Sequence, residues 1–199
     1  MTVTFDLQSV LQIPSSDVSP MYYSRKLCCY NLTIYEGSQP RNAYCYAWNE
    51  VNGKRGSIEI GTCLYLYLTN LGNTVTEVSL FSDTCGGQNR NQNIAALLLY
   101  IVQTTNVEVN EQKFLESVHS MMECDSMHSA IEHQKKYMSV YTMHDWINIF
   151  RLSRFKRNRK NAAPYNVQEL KYSDFINLKA LSKDILKNKT KDSDGNKVN

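Results

Sequence analysis

The run VSLFSDTCGGQNRN, residues 78–91, changes character at its centre. Val78 to Phe81 is a short apolar stretch of a length that suits a buried strand, and it ends at Ser82-Asp83. Gly86 and Gly87 follow, permitting a tight turn that side chains would obstruct, ahead of the polar Gln88-Asn89-Arg90-Asn91. Asn91 or Asn93 can then cap a helix in which Ile94, Leu97, Leu98, Ile101 and Val102 recur at i, i+3, i+4, i+7 and i+8. Strand, glycine turn and helix mouth in that order predict an α/β unit with Asp83 at the carboxyl end of its strand, where open α/β sheets bind ligands. Asp before Thr-Cys-Gly-Gly is also ordinary Asx-turn chemistry, so Asp83 fits a plain turn as well.

Upstream, Val3 to Leu7 alternates in polarity and reads as a strand that contains Asp6, followed by the loop IPSSDVSP. LCCYNLTIY (27–35) and AYCYAW (43–48) are rich in aromatic and β-branched residues and are separated by turn chemistry, which predicts a hairpin. From Ser57 the period changes: Ile60, Leu64, Tyr67 and Leu71 line a helical face, with Gly72 as its expected stop. Downstream, residues 107–115 read as a strand and residues 125–137 as a helix. Thr142-Met143-His144-Asp145 matches a capping box ahead of Trp146, Ile149 and Phe150. The economical architecture is a mixed five-stranded α/β sheet flanked by helices, occupying residues 1–178. Residues 179–199 read as a basic polar tail, with disorder expected at its end.

The 199 residues, 42% hydrophobic and 11% aromatic, suffice for one globular core. No stretch has the roughly 18 apolar residues of a membrane span, and MTVTFDLQ lacks the pattern of a secretory leader. The expectation is an intracellular, soluble chain with free thiols at its six cysteines and two chance glycosylation sequons. The net charge of +3 hides a division: residues 151–199 carry 13 basic and 5 acidic side chains, whereas residues 1–150 carry 9 and 14. A basic tail on an acidic body points to nucleic acid as a partner. Arg90 and the run containing Arg151, Arg154, Lys156, Arg157, Arg159 and Lys160 are the candidate contacts.

Three acidic positions can meet in such a fold: Asp6, Asp83, and a third from Asp125, Glu123 or Glu132. On a helix, Asp125, Ser129 and Glu132 share one face with His128 at its margin, while Met127, Ala130 and Ile131 lie opposite. Clustered carboxylates suit Mg2+ or Mn2+, which prefer oxygen ligands, and a pair of such ions can assist an in-line phosphoryl displacement. A rival set, Cys85, His119, Cys124 and His128, has the ligand types of a zinc site but no established spacing. Cys85 with His119 is a further, nucleophilic reading.

YNLTIYE, CYAWNEVNGKRGSIEIGTCLYLYL, LFSDTCGGQNRNQNIAALLLYIVQ, KFLESVHSMMECDSMHSAIE and PYNVQEL together resemble an uncharacterised domain family that recurs beside mobile-element sequences. The resemblance spans roughly residues 4–176, and SDTCGGQNRN is its most specific part. The order of elements is similar to the ribonuclease-H-like catalytic core of DDE/DDD transposases and retroviral integrases. That resemblance implies Asp6, Asp83 and Asp125 as catalytic, metal-holding carboxylates, with Glu123 and Glu132 as alternatives for the third. It implies Mg2+- or Mn2+-dependent cleavage and transfer of DNA strands, or a degenerate remnant of that activity, in the nucleus. A non-catalytic nucleic-acid or protein-interaction module on the same fold is the alternative, and a homo-oligomer is a further expectation. Asp6 is only the sixth residue of the chain, and Val118-His119 replaces a Gly-His step. Both features lead to the expectation of a fragment, a decayed copy or a domesticated domain.

Overall fold

A computed structural model of the chain describes residues 1–16, 18, 20, 23–115, 122–154 and 163–186. The strands are β1 (Thr2–Leu7), β2 (Leu11–Ile13), β3 (Leu27–Glu36), β4 (Ala43–Asn49), β5 (Glu77–Ser82), β6 (Val109–Phe114) and β7 (Asn166–Glu169). The helices are α1 (Ser57–Thr69), α2 (Gln92–Thr104), α3 (Glu123–Lys135), α4 (Met143–Ser153) and α5 (Leu178–Ile185).

The expected mixed α/β sheet with flanking helices is present, in the order β6-β5-β1-β3-β4-β7, an arrangement compatible with a ribonuclease-H-like fold. It has seven strands rather than five. The short β2 continues the lane of β1 along β3, and β7 adds a parallel edge to β4. β3 pairs antiparallel with β1, β2 and β4, while β1–β5, β5–β6 and β4–β7 are parallel pairs. The carboxyl ends of β1, β4, β5, β6 and β7 therefore share one end of the sheet.

Each face of the sheet carries its own core because side chains alternate along a strand. Val3, Phe5, Leu32, Ile34, Val78 and Leu80 pack with Ile60, Leu64, Tyr67, Ile94, Leu97 and Leu178 from α1, α2 and α5. Cys29, Ala43, Cys45 and Ala47 pack on the other face with Met127, Ile131, Trp146, Ile149 and Phe150 from α3 and α4. Among the described residues, no helix is long and apolar enough to cross a membrane.

The local signals act where the sequence places them. Asn91 caps α2, its side chain accepting from the Asn93 and Ile94 amides. Thr142 and Asp145 form the expected capping box of α4. Helix α1 ends at Thr69 rather than at Gly72, with Asn70 as its cap. Gly61 lets α5 approach α1: a Cβ there would lie 2.2 Å from Leu178 Cδ1. Residues 178–185, most of them assigned to the tail by composition, are thus a helix docked through the fully buried Leu178. The remainder of the expected disordered tail, residues 187–199, lies outside the described residues.

Candidate metal centre

In β1, Val3 and Phe5 are fully buried against the α1–α2–α5 layer, so alternation turns Thr4 and Asp6 to the face covered by α3. Asp6 pairs in register with Thr33 of β3, whose Oγ1 donates to the Asp6 carbonyl at 3.2 Å. The parallel register Thr2↔Ser79, Val3↔Leu80, Thr4↔Phe81 brings β5 alongside. Asp83 follows the end of β5, close enough for its charge to act on the Asp6 carboxyl, but its carboxylate is not among the ligand atoms that gather around Asp6. Asp83 Oδ1 accepts from the Cys85 amide at 3.1 Å and from Asn89 Nδ2. The Asx turn that the local sequence allowed therefore forms, and it fixes the carboxylate at the strand end.

Asp125 enters from the first turn of α3, where its Oδ2 accepts from the Met122 amide at 2.7 Å. Asp6, Asp125 and His128 each offer a ligand atom, and these atoms all lie within 4.8 Å of one another. His128 Nδ1 is 3.9 Å from Asp6 Oδ2, and its Nε2 is 2.8 Å from Thr33 Oγ1. Burial, then the negative charge of Asp83, pushes the Asp6 carboxyl up to about 6; Asp125 adds to this and the Leu7 amide opposes it. Burial pushes the His128 imidazole down to about 4 against the opposing charge of Asp125. His128 is therefore neutral at physiological pH, and its contact with Asp6 is not an ion pair there.

Helix α3 does not turn its Asp125–Ser129–Glu132 face to the sheet. Cys124, Met127 and Ile131 turn inward, while Glu123, Ser129 and Glu132 are exposed. Apolar burial is favourable and a buried, unpaired carboxylate is costly, so the apolar stripe takes the inner face. The position of Asp125 at the helix mouth lets it reach β1 without being buried.

His128, placed at the margin by helical geometry, is the residue that sequence reasoning undervalued. The spacing Asp125-x-x-His128, one helical turn, is the signal that could have found it. Among the described residues, the rival zinc set is not assembled. Cys85 is exposed in the Asp83 turn, and the Cys124 thiol is pushed up to about 12 by burial and donates to the Thr33 carbonyl. His119, needed for that set and for the nucleophilic reading, lies outside the described residues.

Of the expected nucleic-acid contacts, Arg90 is exposed at the carboxylate end of the sheet, its guanidinium 5.6 Å from the Phe114 ring. Lys54 and Arg55, which the sequence reading passed over, are exposed beyond the carboxyl end of β4. Arg154 belongs elsewhere: it donates to the Arg41 carbonyl in the β3–β4 turn and covers Tyr165, at the opposite end of the sheet from Asp6. Arg151 is exposed on the last turn of α4, one helical turn before Arg154. Lys156, Arg157, Arg159 and Lys160 lie outside the described residues.

The donor set fits a divalent cation: carboxylates carry the charge that neutralises it, and a neutral imidazole is a competent additional ligand. Comparison of the chain with protein families, curated proteins and solved structures finds no match.

Proposed function

We propose that this chain is a transposon-derived, ribonuclease-H-like domain that cleaves or joins DNA strands by metal-dependent phosphoryl transfer. One observation carries the reading. Helix α3 brings Asp125 and His128 to Asp6, so that one ligand atom from each lies within 4.8 Å of the others, and Asp83, just past the end of the adjacent strand β5, acts on Asp6 through its charge. Burial and then repulsion from Asp83 raise the Asp6 carboxyl, and a bound cation would relieve that repulsion. Asp6 and Asp125 would hold such an ion with Asp83 beside them, and Mg2+ or Mn2+ is the class expected. A metal bound there would stabilise the negative charge that develops on a phosphodiester during displacement.

The protein's own residues position and steer. The parallel pairing of β1 with β5 brings Asp83 near Asp6, and the Asx turn holds Asp83 through the Cys85 amide and Asn89. Arg90, Lys54 and Arg55 place positive charge at the same sheet end, where a phosphate backbone would lie.

Asp83→Asn tests the reading, because Asn keeps an oxygen for the Cys85 amide and removes the charge. Incubation of the wild type with labelled DNA in Mg2+ or Mn2+ should give nicked or joined product, and Asp83→Asn should lose it with an unchanged circular dichroism spectrum. Salt-sensitive DNA binding by both proteins, with no product from either, would overturn catalysis in favour of an interaction module on this fold.

A further inference from the structure

His128 holds the unexplained feature of the site. A threonine hydroxyl has a single hydrogen, and Thr33 Oγ1 gives it to the Asp6 carbonyl at 3.2 Å. The same oxygen lies 2.8 Å from His128 Nε2, so the assignment that keeps both bonds makes Thr33 the acceptor and Nε2–H the donor. The neutral imidazole then carries its lone pair on Nδ1. Nδ1 lies 3.9 Å from a second acceptor, Asp6 Oδ2, and Asp125 adds a further ligand atom to the same group, in which one atom from each residue lies within 4.8 Å of the others. Acceptors gathered without a donor among them repel, and an electrophile in the gap reverses the sign of the interaction. Donor atoms around a dication with bonds of about 2.1 Å stand at most about 4.2 Å apart, so little contraction is needed. The outer hydrogen bond has the form that metal-bound histidines show, with the second ring nitrogen donating to a neighbouring oxygen that fixes the tautomer.

We propose that His128 is a metal ligand through Nδ1, forming with Asp6 and Asp125 a mixed nitrogen–oxygen site that selects a first-row transition-metal dication of the Mn2+ type over Mg2+. This rests on the metal-dependent reading of the same carboxylates and names the ion that they take. Mg2+ demands near-octahedral oxygen ligation and keeps its waters, whereas imidazole suits the transition metals. Thr33 is a positioning residue: it couples the backbone of β1 to the ring that caps the ion.

The test uses the full chain and two metal probes. Mn2+ titrated into the protein should bind at one site, and pulsed paramagnetic resonance of that complex should show nitrogen hyperfine modulation. His128→Gln keeps an amide donor for Thr33 but removes the ligand atom. It should abolish the modulation and weaken Mn2+ by about tenfold or more, leaving Mg2+ affinity near that of the wild type. Wild-type protein whose bound Mn2+ shows no nitrogen coupling overturns the proposal without needing any variant to fold. Equal preference for Mn2+ over Mg2+ in wild type and His128→Gln overturns it as well. Failure of the catalytic reading looks different: nitrogen-coupled Mn2+ in a protein that makes no DNA product supports the metal site and removes only the nuclease.

Discussion

Replacing Asp6 by Asn should stabilise the metal-free protein and reveal a slope of stability against pH that the wild type conceals. The folded state raises the Asp6 carboxyl from its usual 3.8 to about 6, chiefly by burial. An acid whose folded pKa is raised contributes stability below pH 3.8 and loses it as the pH climbs through about 6. At about 1.4 kcal/mol per tenfold change in protonation equilibrium, the penalty above that window is at most about 3 kcal/mol. The side chain is only 22% exposed, so solvent screens little of it. His128 works in the other direction. Its imidazole is lowered from 6.5 to about 4, so its contribution is complete above pH 6.5 and lost as the pH falls through about 4. That contribution is also about 3 kcal/mol. In the shared window the two slopes oppose each other and nearly cancel. Asp6→Asn leaves the histidine slope, with stability rising toward neutral pH; His128→Gln leaves the aspartate slope, with stability falling. Urea unfolding midpoints in a chelator, taken across the window for all three proteins, read this directly. Slopes of the same sign in the two variants, relative to wild type, would refute the reasoning. So would an Asp6→Asn protein less stable than wild type at neutral pH.

Other perturbations follow from the same geometry. Arg90→Ala should weaken DNA binding and lower the salt-dependence slope by about one, whereas Arg154→Ala, at the far end of the sheet, should leave both unchanged; fluorescence anisotropy at several salt concentrations checks the pair. Gly61→Val should cost about 1–3 kcal/mol by driving a branched side chain into Leu178 and Ile94, seen as a lower unfolding midpoint. Thr142→Ala removes a helix cap and should cost about 1 kcal/mol by the same measurement. Mn2+ should raise the melting temperature of the wild type in a concentration-dependent way and that of Asp6→Asn far less, because only a ligand bound to the folded state stabilises it.

Much of this architecture is written locally. The stripe Ile94–Leu97–Ile101 with its Asn91 cap, the Thr142 capping box and the β3–β4 hairpin depend on residues a few positions apart, so periodicity and turn chemistry suffice to read them. The carboxylate candidates were legible for the same reason: Asp6 lies within a short alternating strand, where Asp is disfavoured, and Asp83 follows an apolar one before a glycine turn. Strands β2 and β7, of three and four residues, carry too little pattern to be read and exist because β3 and β4 offer edges to pair with. The choice of Asp125 and His128 over Glu132 required knowing which stripe of α3 the sheet would bury. The placement of Arg90 and Arg154 at opposite ends required the strand directions. Sequence alone thus determined the longer elements and the chemical types at their ends. Only the tertiary structure decided which of those ends meet, because register and burial are set by contacts between segments far apart in the chain.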